Sequence, residues 1–183
     1  MHGRIDAVIE RVQAILDQNR IQYALIGGMA VAARGYPRFT IDFDFLTTDR
    51  RVLQATLWDE LRNSGIGVDV RKGDFDDPLA GVVRIGTRPE QIDIVVGKRK
   101  WEQRVIERAE EIEVQGMKMR VPITSDLILL KLAAGGPIDQ QDVIRLLAVG
   151  PRNQLIEEVD QKIGDLPEDA LALWKKIVTA SSP

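Results

Sequence analysis

The chain has 183 residues, 44% of them hydrophobic and 29% charged, with a formal net charge of -3. It has no cysteine and one histidine, His2, which excludes disulfides, thiolate chemistry, histidine general bases and ordinary zinc sites. No global basic field points to nucleic acid, and the absence of a signal-like segment or an apolar run of membrane-span length leads us to expect a cytoplasmic protein.

Apolar residues at Ile5, Val8, Ile9, Val12 and Leu16 predict an amphipathic helix over 5–19. Tyr23 to Gly27 reads as a short buried strand ending at glycine, and GMAVAARG as a short helix closed by Gly35. After a turn at Pro37, Thr40 to Thr47 reads as a strand. Alternation places Ile41, Phe43 and Phe45 on one face and Asp42, Asp44 and Leu46 on the other. Thr48 or Asp49 is positioned to cap a helix RRVLQATLWDELRNSG ending at Gly65. Three β-like runs follow, near Val68, near Val83 and from Glu90 to Gly97. KRKWEQRVIERAEE reads as a helix with a basic start, and EIEVQGMKMRVP as a hairpin-like pair or bent strand. From Thr124 the chain reads as helical, over 124–134, 139–148, 151–163 and 167–179. The order predicts an α+β (α/β) core, residues 1–122, with a C-terminal helical region, 123–183.

The chemistry concentrates in three carboxylates. Residues two apart on a strand point the same way, about 7 Å apart, so Asp42 and Asp44 share a face. In QIDIVV, Gln91, Asp93 and Val95 share another. An unpaired carboxylate in such apolar sequence is costly. If the two strands are neighbours, three carboxylates converge and raise one another's pKa. An all-oxygen set favours Mg²⁺ or Mn²⁺. An Asp-x-Asp alone is as readily a solvated strand face; Asp93 and the upstream Gly27-Gly28 tip the reading towards a site. Glycines at a strand-to-helix junction let a phosphate approach backbone N–H groups, although many tight turns need them for geometry alone. Arg34 and Arg38 can meet a polyphosphate or simply form surface ion pairs. Lys131, inside the apolar LILLKLAA, needs an anion or an exit to water. A triphosphate in a cleft would serve, as would Asp139, Asp142 or Asp126.

Ile26-Gly27-Gly28, thirteen residues, then Asp42-Phe43-Asp44-Phe45 resembles the signature of the DNA polymerase beta-like nucleotidyltransferase superfamily, with Asp93 in the place of its third carboxylate. SDLILLKLAAGGPIDQQDVIRLL, Ser125 to Leu147, is similar to a segment of the AbiEii-type nucleotidyltransferases of abortive-infection and toxin–antitoxin systems. The resemblance implies a nucleotidyltransferase-like mixed β-sheet core flanked by helices. It further implies two-metal Mg²⁺ (or Mn²⁺) chemistry and a nucleoside triphosphate donor. Asp42, Asp44 and Asp93 would be the catalytic and metal-holding residues. Gly27, Gly28, Arg38, Thr40 and Lys131 would contact the nucleotide. The implied acceptor is a hydroxyl of RNA, tRNA or protein, and an antitoxin is an implied partner. The chain departs from AbiEii-type members at Gly135-Gly136-Pro137-Ile138, where they often carry basic residues. That departure motivates an alternative, a catalytically degenerate nucleotide- or partner-binding module. The basic run Lys98-Arg99-Lys100 with Arg104 reads either as an RNA contact or as a solvated helix face.

Overall fold

The computed structural model describes residues 3–38, 40–87 and 90–180. Helix α1 (Gly3–Gln18) buries Ile9, Val12, Ile15 and Leu16, the stripe its periodicity requires. Strand β1 (Ala24–Ile26) runs directly into helix α2 (Gly27–Ala33), and β2 (Phe43–Thr47) returns antiparallel to β1. Strands β3 (Val68–Lys72), β4 (Gly81–Thr87) and β5 (Glu90–Val96) form an antiparallel meander. Strand β5 docks parallel to β2, giving a five-stranded mixed sheet in the order β1-β2-β5-β4-β3. One face of this sheet is buried: Phe43 and Phe45, Ile92, Ile94 and Val96, Val83 and Ile85. Its other face carries Asp44, Asp93 and Arg84 in one row.

Helix α4 (Lys100–Glu107) leads to the hairpin β6 (Glu110–Val114) and β7 (Met117–Val121), which packs beside β1. Gln115 and Gly116 form its turn with φ of 52° and 81°, the paired positive dihedrals of a tight hairpin. Four helices complete the described chain: α5 (Thr124–Ala134), α6 (Pro137–Val149), α7 (Arg152–Asp160) and α8 (Glu168–Ala180). Helix α5 packs against the other three and against α4. A buried ionic junction ties them together. Asp126 accepts from Arg108 Nε and Nη2 at 2.8 and 2.9 Å and from Lys162 Nζ at 3.1 Å. Among the described residues no helix is long and apolar enough to cross a membrane.

Two predicted elements differ. The single helix expected after Asp49 is two 3-10 turns, Arg50–Leu53 and Ala55–Trp58, followed by a short α3 (Asp59–Asn63). Gln54 is extended between the turns, and the buried Trp58 indole donates to Val52 O at 2.7 Å. That bond takes a carbonyl a continuous helix would give to the backbone. The second is β2, which begins at Phe43 and not at Thr40. Ile41, expected to point inward with Phe43 and Phe45, is 43% exposed, and Asp42 is exposed as well.

Candidate active site

The parallel pairing of β2 with β5 sets Asp44 opposite Asp93. Directly paired residues share a face with Cβ atoms about 5 Å apart, so the two carboxylates stand side by side. Asp44 also packs against the β1–α2 junction. A Cβ on Gly27 would lie 2.0 Å from Asp44 Oδ2, and Gly27 has a φ of +70°. Gly27 is thus required twice over, by its backbone and by the carboxylate beside it. At Gly28, buried at the start of α2, a Cβ would meet the Arg38 guanidinium and the Thr40 methyl at 3.1 Å.

Asp44 has its pKa pushed up to about 6. Burial is the largest cause, followed by the negative charges of Asp93 and then Asp42; Lys131 and Arg38 pull it back. The carboxylates and the two cations named from the sequence therefore feel one another at Asp44. Asp42 does so from the segment before β2, not from within the strand as predicted. Among the described residues no three His, Cys, Asp or Glu side chains form a ready-made ligand cluster. Asp44 and Asp93 do fit a hard divalent cation: they are register partners on one face, and burial and the charge of Asp93 disfavour the ionised Asp44. Asp93 accepts from Gln91 Nε2 at 2.6 Å, and Arg84 Nε lies 3.7 Å from its Oδ2.

The two cations that act on Asp44 pair with carboxylates of α6. Arg38 Nη1 donates to Asp142 Oδ2 at 2.6 Å. Lys131 Nζ donates to Asp139 Oδ1 at 2.7 Å and lies 3.0 Å from Asp142 Oδ2. Leu127, Ile128, Leu129 and Leu132 bury the rest of α5, so Lys131 takes the ion pairs that the sequence offered as its alternative to a nucleotide. Asp142 is fully buried and also has Arg145 Nη1 at 3.5 Å. The Arg145 guanidinium sits 4.9 Å above the Tyr36 ring, a cation–π contact. Sequence reading passed over Arg145 and Tyr36; the i, i+3 spacing of Asp142 and Arg145 was the signal. Arg34 is not part of the site. It donates to the carbonyls of Pro122 and Val121 and pairs with Glu110. Two members of the basic run have partners: Lys98 donates to the carbonyls of Asp74 and Asp77, and Arg104 pairs with Asp165.

Known structures share this architecture. A nucleotidyltransferase-like antigenic protein from Paracoccidioides brasiliensis superposes over 94% of this chain and 93% of its own, at 18% identity and a TM-score of 0.50. A putative nucleotidyltransferase from Thermotoga maritima does so over 76% and 89%, at 13% identity and 0.51. The lincomycin-bound lincosamide antibiotic adenylyltransferase LnuA covers 78% and 96%, at 11% identity and 0.50. At these identities the likeness is one of fold. No curated protein matches the chain. Residues 3–160 match the model of the family described as nucleotidyltransferase of unknown function (DUF6036), and the chain belongs to that family.

Proposed function

We propose that the chain transfers a nucleoside monophosphate from a nucleoside triphosphate to a hydroxyl acceptor, at a site between the 1–122 core and the 123–183 helical region. The observation that carries this reading is the register pairing of Asp44 with Asp93 beneath Gly27, with Arg38 and Lys131 facing them. Asp44 and Asp93, joined by Asp42, would hold Mg²⁺ or Mn²⁺. When bound, such an ion neutralises phosphate charge and lowers the pKa of an attacking hydroxyl. The rest is supplied by side chains. Asp93, which accepts from Gln91, would take the acceptor's proton. Arg38 and Lys131 offer N–H donors to the triphosphate, and Gly28 and Thr40 flank Arg38.

Incubation with each α-labelled NTP, Mg²⁺ and cellular RNA or protein tests this. Label should reach an acceptor with the wild-type chain and not with Asp44→Asn or Asp93→Asn; transfer that survives Asp44→Asn ends the reading. The likeness of Ser125–Leu147 to AbiEii-type enzymes supports a toxin role with an antitoxin partner. Induced expression in a growing culture should then arrest growth for wild type and spare it for Asp44→Asn.

One observation favours a second reading, a nucleotide- or partner-binding module without turnover. Arg38 and Lys131 already have carboxylate partners in Asp142 and Asp139. Nucleotide binding that is indifferent to Asp44→Asn, with no transfer, selects this reading.

A further inference from the structure

The face that carries Asp44 continues beyond Asp93. Arg84 on β4 is the register partner of Asp93, and Asp69 on β3 is the partner of Arg84. One step along, Val95, Val82 and Arg71 line up in the same way. Paired residues share a face, so Arg84 and Arg71 stand on the Asp44–Asp93 face, on the side of Asp93 away from Gly27.

A cavity of 220 Å³ opens there, lined by Arg71, Lys72 and Arg84 with Val82, Asp77 and Leu79. Its lining carries three cations and Asp77, with Asp69 and Asp93 bordering it as the partners of Arg71 and Arg84. Its polar chemistry is also incomplete. Arg84 Nε is buried without a hydrogen bond, and its nearest carboxylate oxygen, Asp93 Oδ2, is 3.7 Å away, outside hydrogen-bond reach. The Arg84 side chain is nonetheless 43% exposed, so a ligand can reach its guanidinium. Asp69 Oδ2 holds Arg71 Nε at 2.8 Å and orients that second guanidinium.

The loop between β3 and β4 supplies part of the wall and is tied in place. Lys98 Nζ donates to the carbonyls of Asp74 and Asp77 at 2.7 and 2.6 Å, and Asp74 Oδ1 accepts from the amides of Asp76 and Asp77 at 3.0 Å. On this anchored loop Phe75 stands 97% exposed.

We propose that this cavity is a subsite for a phosphate group of the acceptor, held by Arg84 and Arg71. The inference rests on the proposed transferase reading and names the acceptor class: a phosphate-bearing molecule, whose oxygens would take up the open Arg84 donor. Guanidinium forks match phosphate oxygens in geometry as well as charge. A phosphate on Arg84 lies beside Asp93, the carboxylate that would take the acceptor's proton.

The test is a binding comparison that needs no turnover. The probes are inorganic phosphate by calorimetry, a labelled mixed-sequence single-stranded oligoribonucleotide by anisotropy, and each NTP with Mg²⁺ by thermal shift. The Arg71→Gln/Arg84→Gln double variant should weaken phosphate and oligoribonucleotide about tenfold and reduce the oligoribonucleotide's salt slope by about one. Its NTP response should match wild type. Asp44→Asn should do the reverse, losing the NTP response and keeping oligoribonucleotide binding, so a failure of the transferase reading is separable from a failure of the subsite. Phe75→Ala distinguishes two sources of phosphate. About tenfold loss for the oligoribonucleotide alone identifies a polynucleotide stacking on the ring; no loss identifies a small phosphorylated acceptor. Arg71→Glu, on an exposed side chain, repeats the test should Arg84→Gln disturb folding. Unchanged phosphate and oligoribonucleotide binding in the arginine variants overturns the proposal. So does loss of the NTP response in their place, which would put these arginines on the donor.

Discussion

Asp44 and Asp93 meet side by side on the sheet, and among the described residues no ion pair reaches Asp44; burial and its neighbours' charge push its pKa to about 6. A few side chains away, Arg38, Lys131 and Arg145 surround Asp142, with Asp139 adding a second carboxylate. In the first group, among the described residues, Asp44 has no ion-pair partner and Asp93 has only Arg84 at 3.7 Å. The second is assembled and largely self-neutralised. A metal-bound triphosphate complements both, bringing positive charge to the carboxylates and giving the cations a phosphate in exchange for Asp142. The difference implies opposite responses to mutation: removing a carboxylate from the first group should stabilise the protein, and removing one from the second should destabilise it.

The largest effect should come from Asp142→Ala. Asp142 is fully buried, and its loss leaves Arg38 without its 2.6 Å partner and Lys131 with Asp139 alone. Breaking a buried ion pair from one side costs about 3–5 kcal/mol. At about 2–4 °C per kcal/mol for a chain of this size, the melting temperature should fall by roughly 10 °C. Asp139→Ala, at a half-buried position, should cost about 1 kcal/mol. Equal, small losses in urea titrations of both variants would mean that the cations have no need of Asp142.

Asp44→Asn should move stability the other way. The folded pKa of Asp44, about 6, lies above its ordinary value of 3.8, so the native state holds this proton more tightly than the unfolded chain. The stability it contributes is full below about pH 4 and is lost as pH rises through 6. Two pKa units correspond to about 3 kcal/mol at most. The uncharged variant should therefore be more stable than wild type by up to that amount at pH 8, with the two converging at pH 4. Chemical unfolding at both pH values measures the gap. A variant no more stable at pH 8 would show that Asp44 is already compensated, and the contrast between the two groups would disappear.

How much of this was legible in the sequence depended on how far apart the partners lie. Alternation in QIDIVV put Asp93 on one face and Ile92, Ile94 and Val96 on the other, as found. It could not give the register, because β2 and β5 meet across β3 and β4. Asp42 was placed by extending the alternation to Thr40. But β1 is three residues long and its last pair is Ile26 with Asp44, and β5 takes up pairing only at Phe43, so residues before Phe43 have no neighbouring strand. Asp142 was legible as one of three candidate partners for Lys131, but not as a fully buried residue. Its burial depends on Arg38, 104 positions earlier, and no local pattern carries that. Arg84 was hidden for a similar reason: GVVRIGT gives its face, but only the β4–β5 register sets it beside Asp93.

The adjacent glycines place the comparison within two consecutive residues, since Gly27 belongs to the carboxylates and Gly28 to the cations. A Cβ at Gly27 would stand 2.0 Å from Asp44 Oδ2, on a backbone with φ of +70°. Both the dihedral and the contact oppose alanine, and Asp44 cannot retreat freely because its strand is paired on both sides. Gly27→Ala should lose about 2 kcal/mol. By displacing Asp44 it should also abolish the pH-dependent gap to Asp44→Asn. At Gly28 the Cβ would meet the ends of side chains, Arg38 and Thr40, at 3.1 Å, and no positive φ is required. Those atoms can shift by a few tenths of an ångström, and alanine favours a helix by about 1 kcal/mol over glycine. Gly28→Ala should therefore fall within about 0.5 kcal/mol of wild type, with the pH dependence of stability intact and its effect confined to nucleotide affinity through Arg38. Equal losses from the two substitutions would mean that both glycines serve the turn alone, and that neither half of the site relies on the space they leave.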